Sequence, residues 1–308
     1  MPPQAVVIGN IIKETIVKDG EVVGPVLGSP AAYSSLAMAA AGCPTGLVSH
    51  YGNDLPDQIS ELAIVDTSGF IPSEHSTTNT LIYSAQGTKT VSFERTAPDL
   101  SGDDIPAGWW DAKVYHVCPM NYEVSLDLVE ELDRKGATIV VDLGGYGGAT
   151  SLVRHAVGTA VGNEVIGRLA STKSFLKASE EDLASVFPGS SIEEAVGMLV
   201  AMGAALVIVT LGPDGAMYRL GQSRPVYVSG YPARSRMKNG SLNPTGAGDS
   251  FDGGVVAGLC LGWGIEESIK YGNALASVAV ESAGGCVRSR MPSHRMIMER
   301  MGATAPKP

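Results

Sequence analysis

Two periodicities alternate along the chain. Short runs that are apolar at nearly every position recur as AVVIGN (5–10), KVYHVCPM (113–120), TIVVDLGG (138–145), SFLKA (174–178) and ALVIVTLG (205–212). Between them lie segments with helical spacing: SPAAYSSLAMAAAG (29–42), SLDLVEELDRKG (125–136), SEEDLASVF (179–187), SIEEAVGMLVAMG (191–203), and two final stretches over 248–262 and roughly 265–283. Ser29 stands at a helix cap and Gly42 at a helix stop. A strand that lacks polar alternation must be covered on both faces. The pattern therefore predicts a mainly parallel α/β sheet with helices on each side.

Two segments break this rhythm. IIKETIVKDGEVVGPVLG (11–28) alternates around Asp19-Gly20, and TTNTLIYSAQGTKTVSFER (77–95) alternates around Gly87. Both read as β-hairpins, which do not belong inside a parallel sheet. They predict a small separate β-layer, a lid made of segments at about 10–28 and 77–96. With no repeat, low-complexity tract or long linker, residues 1–308 read as one domain plus this lid.

Charge and composition then narrow the function. The 22 basic and 32 acidic residues leave a net charge of −10. That argues against nucleic acid or an anionic membrane as the main partner. The four cysteines are far apart without a C-x-x-C pair and read as reduced core thiols. No H-E-x-x-H spacing, no spanning run and no export signal is visible, so a soluble cytoplasmic protein is expected. The sequon at Asn239 carries little weight in such a chain.

The stretch LNPTGAGDSFDGG (242–254) carries the candidate chemistry. A Walker A loop is excluded because the chain contains no Gly-Lys dipeptide. The dinucleotide fingerprint also fails, because 246–251 read G-A-G-D-S-F after a loop-like segment, which disfavours a dehydrogenase. One reading is structural: a tight turn and helix start with Asp249 near the cap. The other is functional. Gly246, Ala247 and Gly248 leave backbone N–H groups uncovered at a helix N-terminus, an anion site. A carboxylate there makes sense if Asp249 takes a proton from an alcohol while the N–H groups stabilise a transferring phosphoryl group.

N-P-T-G-A-G-D-S-F-D-G-G closely resembles the signature of the ribokinase-like (PfkB) carbohydrate kinases, and further marks follow in family order along essentially the whole chain. The resemblance implies ATP and magnesium as cofactors, Gly246, Ala247 and Gly248 as the anion hole, and Asp249 as the base. VTLGPDG (209–215) is similar to the phosphate-cradling turn, with Thr210, Gly212 and Gly215 in place, although Pro213-Asp214-Gly215 is also an ordinary β-turn. Lys177, Ser179, Thr245 and Asn273 fall at nucleotide-side positions. Ser179 and Asp182 stand where the family has N-x-x-E, which implies Asp182 near magnesium, through water; Ser-x-x-Asp is equally a helix capping box. Glu14, Gly28, Ser29, Tyr33 and Asp142 fall on the acceptor side. There a solvated Glu14 and a strand-end cap at Asp142 are the structural alternatives. Asn243 replaces the family's Asp, which helps bind a potassium-type ion, and leaves a monovalent cation open.

VVIGN leading into a hairpin, GEVVGPVLGSPAAYSS and FLKASEEDL look similar to the inositol-kinase-like branch. A small polyol, sugar or cyclitol such as myo-inositol is the expected acceptor. A nucleoside kinase and a catalytically weak ribokinase-fold binding or regulatory protein stand as alternatives. Relatives that pair lids imply a homodimer.

Overall fold

The computed structural model describes residues 2–18, 20–83, 89–151, 159–238 and 240–302. Strands run in chain order as β1 (Ala5–Ile8), β2 (Ile12–Lys18), β3 (Glu21–Gly28), β4 (Thr45–Tyr51), β5 (Asp66–Pro72), β6 (Thr77–Tyr83), β7 (Lys89–Arg95), β8 (Val114–Val117), β9 (Thr138–Asp142), β10 (Phe175–Ser179), β11 (Leu206–Thr210), β12 (Gly215–Leu220) and β13 (Val226–Ser229). Helices are α1 (Pro30–Ala40), α2 (Leu126–Arg134), α3 (Thr159–Ser171), α4 (Glu180–Val186), α5 (Ile192–Ala201), α6 (Ala247–Cys260), α7 (Ile265–Ala279) and α8 (His294–Arg300). The hairpin turn at Asp19, the turn near Gly87 and the sequon Asn239 lie outside the described residues.

Nine strands form the main sheet in the order β13-β12-β11-β10-β9-β8-β1-β4-β5. All neighbours from β11 to β5 are parallel, and β12 and β13 are antiparallel at one edge. The apolar runs have the predicted cause. In β1, Val6 and Ile8 enter the core under α2, α3, α4 and α5, while Ala5 and Val7 enter the core under α1, α6 and α7. The α/β class, with a mainly parallel sheet and helices on both faces, is the observed architecture.

The two hairpins form a separate four-stranded sheet, order β3-β2-β6-β7. Each hairpin is antiparallel, and β2 pairs with β6 in parallel at the centre. One face packs Ile12, Leu81 and Val91 against Met120. Val22 at 68%, Val23 at 53% and Ile82 at 44% remain exposed.

Small residues set the position of α6. A Cβ added at Gly253 would lie 2.8 Å from the Ala37 Cβ, and one at Gly254 2.6 Å from the Gly272 Cα. The helix can therefore nest closely against α1 and α7, which fixes where its N-terminus points. The helix expected through 283 stops at Ala279, where the backbone carbonyl accepts from Arg290 Nε at 3.2 Å.

Candidate active site

Helix α6 begins at the carboxyl ends of the parallel strands, the usual place for a ligand crevice in an open α/β sheet. Gly246 is its N-cap in the left-handed region, φ 72°. A Cβ there would lie 2.4 Å from the Tyr33 ring. Both the conformation and the ring demand glycine. One expectation needs correction. The Ala247 N–H is not left uncovered, because the 244–247 turn closes on itself and this group donates to Pro244 O at 3.0 Å. Asp249 lies in the first turn of α6, half-buried, and its backbone carbonyl accepts from Ser34 Oγ at 2.9 Å.

On one side of this turn stands the four-stranded sheet. Glu14 on β2 is only 3% exposed, so it is not a solvated surface acid. Its carboxylate would meet a Cβ on Gly28 at 2.9 to 3.0 Å, so the glycine permits the approach. Ser29 follows at φ 109°, a strained setting for a residue with a side chain, and its hydroxyl caps α1 by accepting from Ala32 N at 3.1 Å. Burial pushes the Tyr33 hydroxyl well up, and Cys286, Glu14 and Asp249 add to the rise. Glu14, Gly28, Ser29 and Tyr33 thus gather on one flank of the turn.

On the other flank a cavity of about 490 Å³ opens between the β11–β12 turn and α6–α7. Thr210, Gly212, Gly215, Ala247, Gly248 and Asn273 line it, with an apolar end at Tyr231, Pro232, Leu242 and Val280. This volume lies in the range of small-molecule and cofactor sites. Asn273 is held in place because Nδ2 donates to Val228 O (3.1 Å) and Ser229 O (3.2 Å). Thr245 lies at the entrance to the turn, its N–H donating to Asn243 Oδ1 at 3.2 Å.

Beneath the turn is a buried charge cluster. Lys177 Nζ lies 3.3 Å from Asp142 Oδ2 and 3.2 Å from Asp252 Oδ2. It would sit 3.4 Å from a Cβ on Gly248. Asp142 Oδ1 also accepts from Gly144 N at 2.9 Å, so the strand-end cap is realised and the side chain is committed to cap and ion pair. Burial opposes charge on every member. Lys177 and the Gly144 N–H nevertheless hold Asp142 below the usual carboxylate range, and Asp142 and Asp252 hold Lys177 well above its own. Burial wins at Asp252, whose carboxyl is pushed well up despite Lys177. His116, lowered to about 4 by burial, is neutral. Its Nε2 faces Ser34 Oγ at 3.2 Å. Asp252 and His116 were not singled out from sequence. The signal available for Asp252 is its place three residues after Asp249, on the same helix face.

Ser179 and Asp182 form the capping box. Asp182 Oδ2 accepts from Ser179 N and Ser179 Oγ, each at 2.7 Å, and Oδ1 accepts from Ala149 N at 2.9 Å. Among the described residues no group of three His, Cys, Asp or Glu is placed to hold a metal ion directly.

The sequence pattern of the pfkB family carbohydrate kinases matches residues 31–292. The chain belongs to that family. This PfkB-family kinase is 28% identical over 272 residues to a cytidine kinase of Thermococcus kodakarensis, covering 87% of this chain and 92% of that protein. It is also 28% identical over 306 residues to an inositol 3-kinase of Zea mays, covering 91% and 73%. Its fold is that of an Arabidopsis thaliana ribokinase solved with ribose and ATP, with TM-score 0.75, 19% identity and coverage of 99% and 100%.

Gly246 and Gly240 share φ 72°, but a Cβ at Gly240 meets nothing within 4 Å. Gly240→Ala therefore pays only the left-handed penalty, about 1–2 kcal/mol. Gly246→Ala also drives against Tyr33 and tilts the start of α6, which is expected to lower turnover by about 10²-fold. Urea unfolding and kcat measured on both variants check this; equal effects would show that the ring contact is unimportant.

Proposed function

We propose that the chain transfers the γ-phosphoryl group of ATP to a hydroxyl of a small neutral polyol, a sugar or a cyclitol such as myo-inositol. One observation carries the reading. A single carboxylate, Asp249, stands at a helix N-terminus with a nucleotide-sized cavity on one flank and a buried polar flank containing Glu14 on the other. In the reaction the acceptor oxygen bonds to the γ-phosphorus as the bond to the β-bridging oxygen breaks. Asp249 takes the hydroxyl proton and ADP leaves. The N–H groups of Gly246 and Gly248 and the α6 dipole stabilise charge on the transferring group, and the Lys177 ammonium underlies them. Magnesium bound to the nucleotide would neutralise phosphate charge. Asp182, with both oxygens hydrogen-bonded within the protein, would reach it through water.

Glu14 and Asp249 also speak to the acceptor. Both raise Tyr33, so two carboxylates act on the same flank. A ring of hydroxyl donors suits that flank, whereas an anionic acceptor would be repelled. The likeness to a cytidine kinase supports a second reading, a nucleoside whose ribose hydroxyl is the acceptor. The four-stranded sheet would serve as the acceptor lid, and its exposed Val22, Val23 and Ile82 support pairing with a second copy. Sedimentation should then give a dimer; a monomer at micromolar concentration would contradict the pairing.

ADP formation should be measured with MgATP and myo-inositol, ribose, fructose and cytidine. The reading expects a polyol to give the highest kcat/KM. A tenfold advantage for cytidine would favour the nucleoside reading, and no turnover with any acceptor would leave a binding protein. With the best acceptor, Glu14→Gln should raise the acceptor KM by about 10–100-fold, as expected for a lost charged hydrogen bond, with little change in the KM for ATP. Equal effects on both would move Glu14 out of the acceptor site.

A further inference from the structure

Arg290 is 2% exposed and heads the fully buried side chains by volume. Its guanidinium carries five N–H donors, and each one meets a backbone carbonyl. Nε donates to Ala279 O (3.2 Å), Nη1 to Gly284 O (2.8 Å) and Gly285 O (3.1 Å), and Nη2 to Asn243 O (3.2 Å) and Thr245 O (2.8 Å). Among the described residues it forms no ion pair with a carboxylate. Two of those carbonyls belong to the segment that runs directly into Gly246, two to the segment that follows α7, and one to Ala279, the last residue of α7. Asn243 joins the same two segments, its Nδ2 donating to Gly284 O at 2.8 Å and its N–H to Val280 O at 2.8 Å. The guanidinium also lies 5.9 Å from the centre of the Tyr33 ring, the ring on which Gly246 rests.

A buried arginine is ordinarily matched by an acid, because leaving its charge unpaired in a low-dielectric interior is costly. Here the balancing charge is a cage of carbonyl dipoles, the environment that oxygen ligands give a bound alkali cation. We infer that Arg290 is an internal cation. It is a positioning residue that fixes the 243–249 turn and makes phosphoryl transfer independent of any dissolved monovalent ion. The inference rests on the functional reading of that turn given above.

Turnover of the wild type should be compared in buffers whose only monovalent cation is potassium, sodium or tetramethylammonium. The rates are expected to agree within about twofold; activation by potassium of tenfold or more overturns the proposal. Arg290→Ala opens the cage. Its kcat is expected to fall by about 10²-fold, the scale for a displaced catalytic group, and to be restored at least tenfold by guanidinium or potassium at tens of millimolar. A folded variant that keeps full activity, or that neither ion restores, makes Arg290 a structural strut and overturns the proposal. Should that variant not fold, Arg290→Lys, which keeps the charge on three donors, is expected to retain activity in tetramethylammonium buffer; dependence on potassium there would count against an internal cation. A readout without turnover separates this from the kinase reading. Crystals soaked in rubidium should show an anomalous peak between residues 243–245 and 284–285 in Arg290→Ala, and none in the wild type or in Arg290→Lys, whose ammonium keeps the site filled. A peak in the wild type or in Arg290→Lys, or none in Arg290→Ala, overturns the inference even if no acceptor is ever turned over.

Discussion

Everything at this site depends on where one helix begins. The first turn of α6 must deliver unsatisfied N–H groups and one carboxylate to the edge of the sheet, which only a rigidly placed helix can do. Glycines let the body of α6 nest against α1 and α7. Gly246 supplies the left-handed cap over Tyr33, and Arg290 ties the incoming segment to the end of α7. The turn is therefore fixed from three sides, by packing below, a ring beneath and a guanidinium behind. Backbone placement comes first, and the chemistry proposed for Asp249 depends on it.

The second constraint is charge. Asp142, Asp249 and Asp252 all act on one buried amine, Lys177, so the acids cannot all be ionised at low cost. The molecule resolves this by position. Asp142 has both the amine and a backbone N–H and is held in its charged form, while Asp252 is deepest and favours its neutral form. Lys177 remains charged beneath Gly248, so the proposed anion site has positive charge beneath it as well as the helix dipole.

The sequence made the parallel core readable because its strands are covered on both faces and carry no polar alternation. The hairpin layer was readable for the opposite reason. Strands β4, β5, β12 and β13 escaped notice: DTSGFIP and the exposed ends of β12 and β13 sit toward sheet edges, where packing selects side chains weakly, whereas TGLVSHY of β4 is buried but breaks its apolar run with Gly46, Ser49 and His50. In the site, Thr245 to Asp249 were legible because the whole turn is contiguous. Glu14 and Gly28 were placed on the acceptor side only by the resemblance; the contact of the carboxylate with the glycine, fourteen residues on, becomes visible only in the folded hairpin. Arg290 gave no sequence signal, since its partners are backbone carbonyls that any residue would supply. Ser179-x-x-Asp182 could be read either as a cap or as a metal-side motif, and the hydrogen bonds realise the cap.

The central claim is that Asp249 accepts a proton rather than merely capping α6. Asn keeps the shape and caps a helix nearly as well, but it cannot take the proton. The most direct measurement is kcat for wild type and Asp249→Asn with saturating MgATP and the best acceptor, alongside the ATP dissociation constant and Tm. General-base catalysis predicts a fall in kcat of about 10²–10⁴-fold, with nucleotide affinity and Tm little changed. Activity surviving within a few-fold would contradict the account and leave Asp249 a helix cap.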